Sequence, residues 1–228
     1  MKQDDLSAQL ASGMGFFVAH KKRIWLGVAA SVAVLLLALG IYFFVRSQQA
    51  KAAAEFSKAL NTYHSPVVTN TPSIPNLESY KTNEEKNQKA LEKFNIVAKD
   101  YSFYAVGRLA KYYTAICLRE LGKSSEAEKE FQALTTVSDE KLASLAKVGL
   151  ASVYELTNRS AEAEKLYKDL EEHPTSAVPK ATASVARADL YRKSNAAEAA
   201  TLYQQIQKDY PGTPAADYAA EMLTQLPH

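Results

Sequence analysis

Residues 24–45 form a predominantly apolar run of 22 positions without a charge. At 1.5 Å of rise per residue such a helix spans about 33 Å, enough for a hydrocarbon core of about 30 Å. Beyond residue 80 the pattern changes to short amphipathic stretches. A small residue, an aromatic four positions on and an aliphatic three further on mark one helical face at Ala127, Phe131 and Leu134. The same set returns as Ala163, Tyr167 and Leu170, and again as Ala199, Tyr203 and Ile206, 36 residues apart each time. An earlier copy, Ala90, Phe94 and Val97, stands at an offset of 37.

Before each copy lies another helix-like stretch of 15–19 residues, the last of them one residue short. Residues 121–124, 157–160 and 193–195 read as the turns between them. Gly122 suits the position after a helix, where φ is often positive, and Asn158 reads as turn chemistry. Thr82 with Glu85, Ser125 with Glu128, and Asn195 with Glu198 have the spacing of capping boxes. Each unit is thus an antiparallel helix pair of about 34–36 residues. One pair cannot bury its apolar face alone, but stacked pairs can. Pro211 ends the last pair. Thr213 and Pro214 then start a closing helix to about residue 225, which covers the end of the stack.

These units resemble the tetratricopeptide repeat. Ala115, Gly122, Ala127 and Phe131 fit its small, turn, small and aromatic positions. Leu150, Ala151, Tyr154, Ala163, Tyr167 and Pro174 fit in the next unit, and Ala199, Tyr203 and Pro211 in the last. The resemblance covers roughly residues 83–225. The expected fold is all-α: a single N-terminal transmembrane helix, an α-solenoid of about four tetratricopeptide-like helix pairs, and a C-terminal capping helix. The expected divisions are an N-terminal segment at 1–23, the transmembrane helix at 24–45, a connecting helix and Pro-rich loop at 46–82, and the repeat domain at 83–228.

Charge flanking the apolar run sets its orientation. Lys2, Lys21, Lys22 and Arg23 precede it, and Arg46, Lys51 and Lys58 follow, with only Arg46 adjacent. This bias places the N-terminus in the cytoplasm and the repeats outside. Trp25 and Tyr42 stand where the two interfaces fall. A cleaved signal peptide is the alternative, with residues 50–52 as a cleavage site, but a signal's apolar core is 7–15 residues. No cysteine near the run's end permits a lipid-modified anchor. Leu6, Leu10 and Phe17 can line a short surface helix, whereas Gly13 and Gly15 favour a frayed end. Pro66, Pro72 and Pro75 interrupt the first helix pair with a long loop, read as a tolerated insertion.

Composition narrows the function. One cysteine, Cys117, excludes an internal disulfide and a CxxC pair, and it reads as a small core hydrophobe. The four histidines, at 20, 64, 173 and 228, have no metalloprotease spacing, and the eight glycines form no phosphate-binding loop. Residues 1–46 hold five of the 27 basic and two of the 25 acidic residues, so the remainder carries 22 against 23. That near-neutral part lacks the basic surplus of a nucleic-acid binder. No catalytic residue, cofactor site or metal set is expected, so the chain reads as a non-enzyme.

The layout of basic flank, single anchor and exported repeats resembles the ancillary SecYEG translocon subunit family of YfgM-like membrane proteins. Their repeat domain is grouped with the cell-division coordinator CpoB. Phe16 and Phe17 shortly before the anchor also look like that family's N-terminus. The resemblance implies a bacterial inner-membrane protein with a periplasmic domain. It would assist secreted-protein traffic by holding translocon subunits, exported clients or periplasmic chaperones. Coordination of cell-division or cell-wall synthesis machinery is the alternative, and a homo-oligomeric tether a further one. In such arrays the first helix of each pair lines the concave face. The partner-binding candidates there are Tyr112, Ile116, Arg119, Val148, Glu155, Arg187 and Tyr191. Related domains that grip chaperone C-termini use a Lys/Asn clamp, and Tyr112 and Ile116 stand at the corresponding positions, which argues against that clamp.

Overall fold

The structure, a computed structural model, describes residues 2–68 and 78–226, with the side chains of 2–20 and 24 left aside. Pro72 and Pro75, and the face formed by Leu6, Leu10 and Phe17, therefore lie outside the described parts. Among the described residues there are nine helices: α1 (Lys2–His64), α2 (Asn83–Asp100), α3 (Ala105–Glu120), α4 (Ser124–Leu134), α5 (Glu140–Leu156), α6 (Ser160–Glu172), α7 (Lys180–Tyr191), α8 (Ala196–Asp209) and α9 (Pro214–Gln225). Their only β feature is one isolated bridge between Val67 and Tyr80. The chain divides into two compact units, Met1–Lys51 and Ala52–His228.

In the first unit the N-terminal residues are helical from Lys2 rather than frayed. No proline falls before Pro66, so nothing removes a backbone donor from the ladder. Among the described residues one helix, within Lys21–His64, is long and apolar enough to cross a membrane. Its Leu35, Leu36, Leu37, Phe43 and Phe44 are exposed.

The second unit is an all-α, tetratricopeptide-like solenoid. Four helix pairs follow one another, the end of α1 with α2, then α3 with α4, α5 with α6 and α7 with α8, and α9 closes the row. The 36-residue register sets the core. Ala90, Phe94, Ala127, Phe131, Ala163, Ala199 and Tyr203 are all 0% exposed. Tyr167, Leu134, Leu170, Ile206 and Val97 are buried with them. Each small residue lets a neighbouring helix approach, and the aromatic fills the space beside it. Gly149 extends this rule, since a Cβ there would stand 2.3 Å from the Phe131 ring. Where the first pair meets the second, Phe56 and Tyr63 of α1 meet Phe94 of α2 and Tyr113 of α3, with Phe94 and Tyr113 stacked at 5.0 Å.

The turns repeat as well. Gly122 has φ +71°, and Asn158, 36 residues on, has φ +59°. In both turns the next residue donates back across the helix end, Lys123 N–H to Leu118 (2.9 Å) and Arg159 N–H to Tyr154 (2.8 Å). Ser194, at the same register, does not take positive φ, and that turn closes on the Tyr191 carbonyl instead. Thr82, Asn195 and Thr213 cap α2, α8 and α9 as expected. The Ser125 box is a correction. α4 begins at Ser124 with Lys123 as N-cap and no side-chain cap bond. Lys123 already accepts from Ala127 N–H (3.0 Å), so backbone bonds start the helix before Ser125 is reached. A second correction is length: α7 has 12 residues, shorter than the 15–19 expected of first helices.

The described ends of the first-pair loop are pinned. Val68 and Tyr80 N–H groups donate to Tyr80 and Pro66 carbonyls, at 2.9 and 3.1 Å. Glu78 accepts from Tyr80 (2.5 Å), Thr62 (2.8 Å) and Lys93 (2.9 Å). Burial raises the Glu78 carboxyl, but these donors outweigh it and hold it below the usual range. Burial, aided by Glu78, pushes the Tyr80 hydroxyl up to about 12.

Candidate protein-binding groove

A groove of about 830 Å³ opens at the C-terminal ends of α3, α5 and α7. Core formation places it there. The backbones of α3 and α5, and of α7 and α9, approach one another more closely than those of α5 and α7. One buried cluster runs from Ala59 to Ala183, and a second begins at Ala188. The groove lies where these clusters part. Its floor and rim include Arg119, Glu155, Leu156, Asp189, Leu190 and Arg192.

Its polar groups are held in place. Arg119 donates to Ser152 (2.8 Å) and to the Glu120 carboxylate (2.7 Å). Glu155 accepts from the Tyr167 hydroxyl at 2.5 Å. Burial first, and Glu155 second, raise the Tyr167 hydroxyl far above the tyrosine range. Asp189 accepts from Tyr203 and from Tyr218, the latter at 3.1 Å to each oxygen. Burial, then the Asp189 bond, raises the Tyr203 hydroxyl likewise. Arg192 lies 2.9 Å from the Met222 sulfur. Leu156 stands between these groups with 63% of its surface exposed. An aliphatic contact rimmed by fixed charges of both signs fits a polypeptide segment. Two of its carboxylates are engaged by tyrosine hydroxyls and so already carry donors. Among the described residues no cluster of three potential metal ligands occurs.

The seven expected contact residues separate. Arg119 and Glu155 line the groove. Tyr112, Ile116 and Val148 are half-buried against the first core cluster, and Tyr191 against the second. Burial raises the Tyr112 hydroxyl, whose ring meets Phe131 edge-on at 5.8 Å. Arg187 lies at a smaller cleft of about 190 Å³, 3.2 Å from Glu171. Leu156, Asp189, Leu190 and Arg192 were not anticipated. A signal existed, since Glu120, Leu156 and Arg192 fall at one register position, 36 residues apart, and all line the groove.

Neighbouring pairs are tied beside the groove by Arg159. It donates to both Glu128 oxygens at 2.9 Å and to Glu162 at 2.9 Å, and it lies 4.1 Å over the Tyr154 ring.

A tetratricopeptide-repeat family model matches residues 183–213, the span of most of α7, all of α8 and the turn that follows. No curated protein and no solved structure matches the chain. The matched segment contains the Ala199 and Tyr203 register positions. The chain therefore carries tetratricopeptide-type helix pairs, a fold that serves protein–protein contact.

Proposed function

We propose that this chain is a non-catalytic, membrane-tethered scaffold for protein–protein contact. In this reading residues 24–45 span the bacterial inner membrane, the N-terminus is cytoplasmic and the repeats at 83–228 are periplasmic. Its role is accessory to the protein translocon, holding exported chains or periplasmic chaperones beside the channel. The observation that supports it is the groove formed by three helix pairs on a chain that also carries one membrane-length apolar helix. The basic residues before that helix support the orientation.

The test is photo-crosslinking in the native cell from probes at Leu156 and Lys193, read by mass spectrometry. Adducts with translocon subunits or exported chains are the expected result. Adducts with cell-wall synthases alone move the role to envelope coordination. Adducts with cytosolic proteins alone overturn the orientation.

A further inference from the structure

Phe103 is 95% exposed, in the turn between α2 and α3. Outside the apolar run, the large exposed hydrophobic side chains among the described residues are Val67, Ile96, Phe103 and Leu156, and Phe103 is the most exposed. Exposure of a whole aromatic ring to water gains nothing for folding. The turn does not demand it. The Asp100-Tyr101 turn is repeated at Asp209-Tyr210, and in both the N-cap N–H donates to the tyrosine carbonyl, Tyr104 to Tyr101 at 2.9 Å and Thr213 to Tyr210 at 3.3 Å. Gly212 stands where Phe103 stands. Gly212 has φ +72° and Phe103 does not, so the ring is no backbone requirement.

The chain path says what can reach this ring. The end of α1 and α2 are antiparallel. Tyr63 and His64 share a cleft with Asn83 and Lys86, while Glu55 and Lys58 share one with Ile96 and Val97. The turn after α2 thus returns to the Ala52 end of the domain. Ala52 is seven residues from Val45, the end of the apolar run. Even fully extended, that chain keeps Ala52 within about 25 Å of it, at roughly 3.3–3.6 Å per residue. The corresponding turns of later pairs, at residues 135–139, 173–179 and 210–213, expose no large hydrophobic side chain. The exposed aromatic is confined to the turn closest along the stack to the tether.

We propose that this turn is a second membrane contact, with Phe103 entering the boundary between headgroups and acyl chains of the bilayer that holds the anchor. Tyr101 and Tyr104 flank it, with ring centroids 6.4 Å apart, and each pairs an apolar ring with a polar tip suited to headgroup depth. The inference rests on reading residues 24–45 as membrane-spanning.

The test uses full-length protein in vesicles of phosphatidylethanolamine and phosphatidylglycerol, with plain or brominated acyl chains. The natural chain has one tryptophan, Trp25, which reports the anchor. A Trp25→Phe, Phe103→Trp protein moves the only indole to the turn. The expected result is blue-shifted emission from position 103 that is lost in brominated lipid. Quenching of Trp25 but not of the indole at position 103 overturns the second contact and leaves the anchor standing. Blue-shifted but unquenched emission assigns the ring to a protein surface and overturns the lipid contact. Quenching at neither position overturns the anchor and this inference together.

Discussion

The second and third helix pairs close against their neighbours with apolar side chains where the fourth closes with charges. Ala115 and Ala151 are 0% exposed, and 36 residues on stands Arg187, paired with Glu171. Cys117 and Val153 are 0% exposed, and 36 residues on stands Asp189, holding two tyrosine hydroxyls. The small, aromatic and aliphatic positions of the second helices are buried in all four pairs. The repeated apolar register is therefore kept by those second helices, while the first helices differ at positions 187 and 189. Where they turn polar, the core parts into two clusters and a groove opens. Units that share fewer apolar contacts open more independently.

The contrast can be broken at its apolar side most strongly. Phe131→Ala should cost about 3–5 kcal/mol, the range for emptying a buried aromatic site. An unchanged melting temperature would reject the register. Asp189→Ala comes next, at about 1–3 kcal/mol, because it leaves the hydroxyl of the buried Tyr203 without its acceptor. Hydrogen exchange should then accelerate in α8 and α9 and stay unchanged in α4 to α6. Equal acceleration in both regions would erase the distinction between the two cores.

The thiol of Cys117 sharpens the comparison further. Burial, then Glu120, pushes it up to about 12, so it is neutral and shielded in the folded chain. Its alkylation rate should rise with Phe131→Ala and not with Asp189→Ala. A rise in both means that the last pair does not open separately. The smallest effect is acidic. The Lys147 ammonium bonded to Asp169 holds that carboxyl below the usual aspartate range. The contribution is present above the ordinary aspartate pKa and is lost as pH falls through the lowered value. Both groups are partly solvated, so Asp169→Asn should only slightly flatten the acid limb of the urea midpoint against pH. An unaltered limb would show that the pair adds nothing.

The register was legible because it is one-dimensional. Phe131, Tyr167 and Tyr203 repeat at fixed spacing, and Thr82, Thr213 and Gly122 act on backbone within a few residues. Gly149 was silent in the sequence, because its role depends on the Phe131 ring of another helix. Ser125 misled because the preceding turn, not its own hydroxyl, starts α4. Of the groove, Arg119 and Glu155 were legible as first-helix polar positions. Leu156 and Arg192 were not, since the groove depends on how closely α5 and α7 approach, and no local pattern records the spacing between two helices.

The claim that this groove is the binding surface is tested most directly by Leu156→Asp. The side chain is 63% exposed, so stability should change by no more than about 0.5 kcal/mol. Crosslinked partners recovered from cells with a probe at Lys193 should be lost while the melting temperature holds. An unchanged partner set at an unchanged melting temperature would contradict the account and move the binding surface elsewhere on the array.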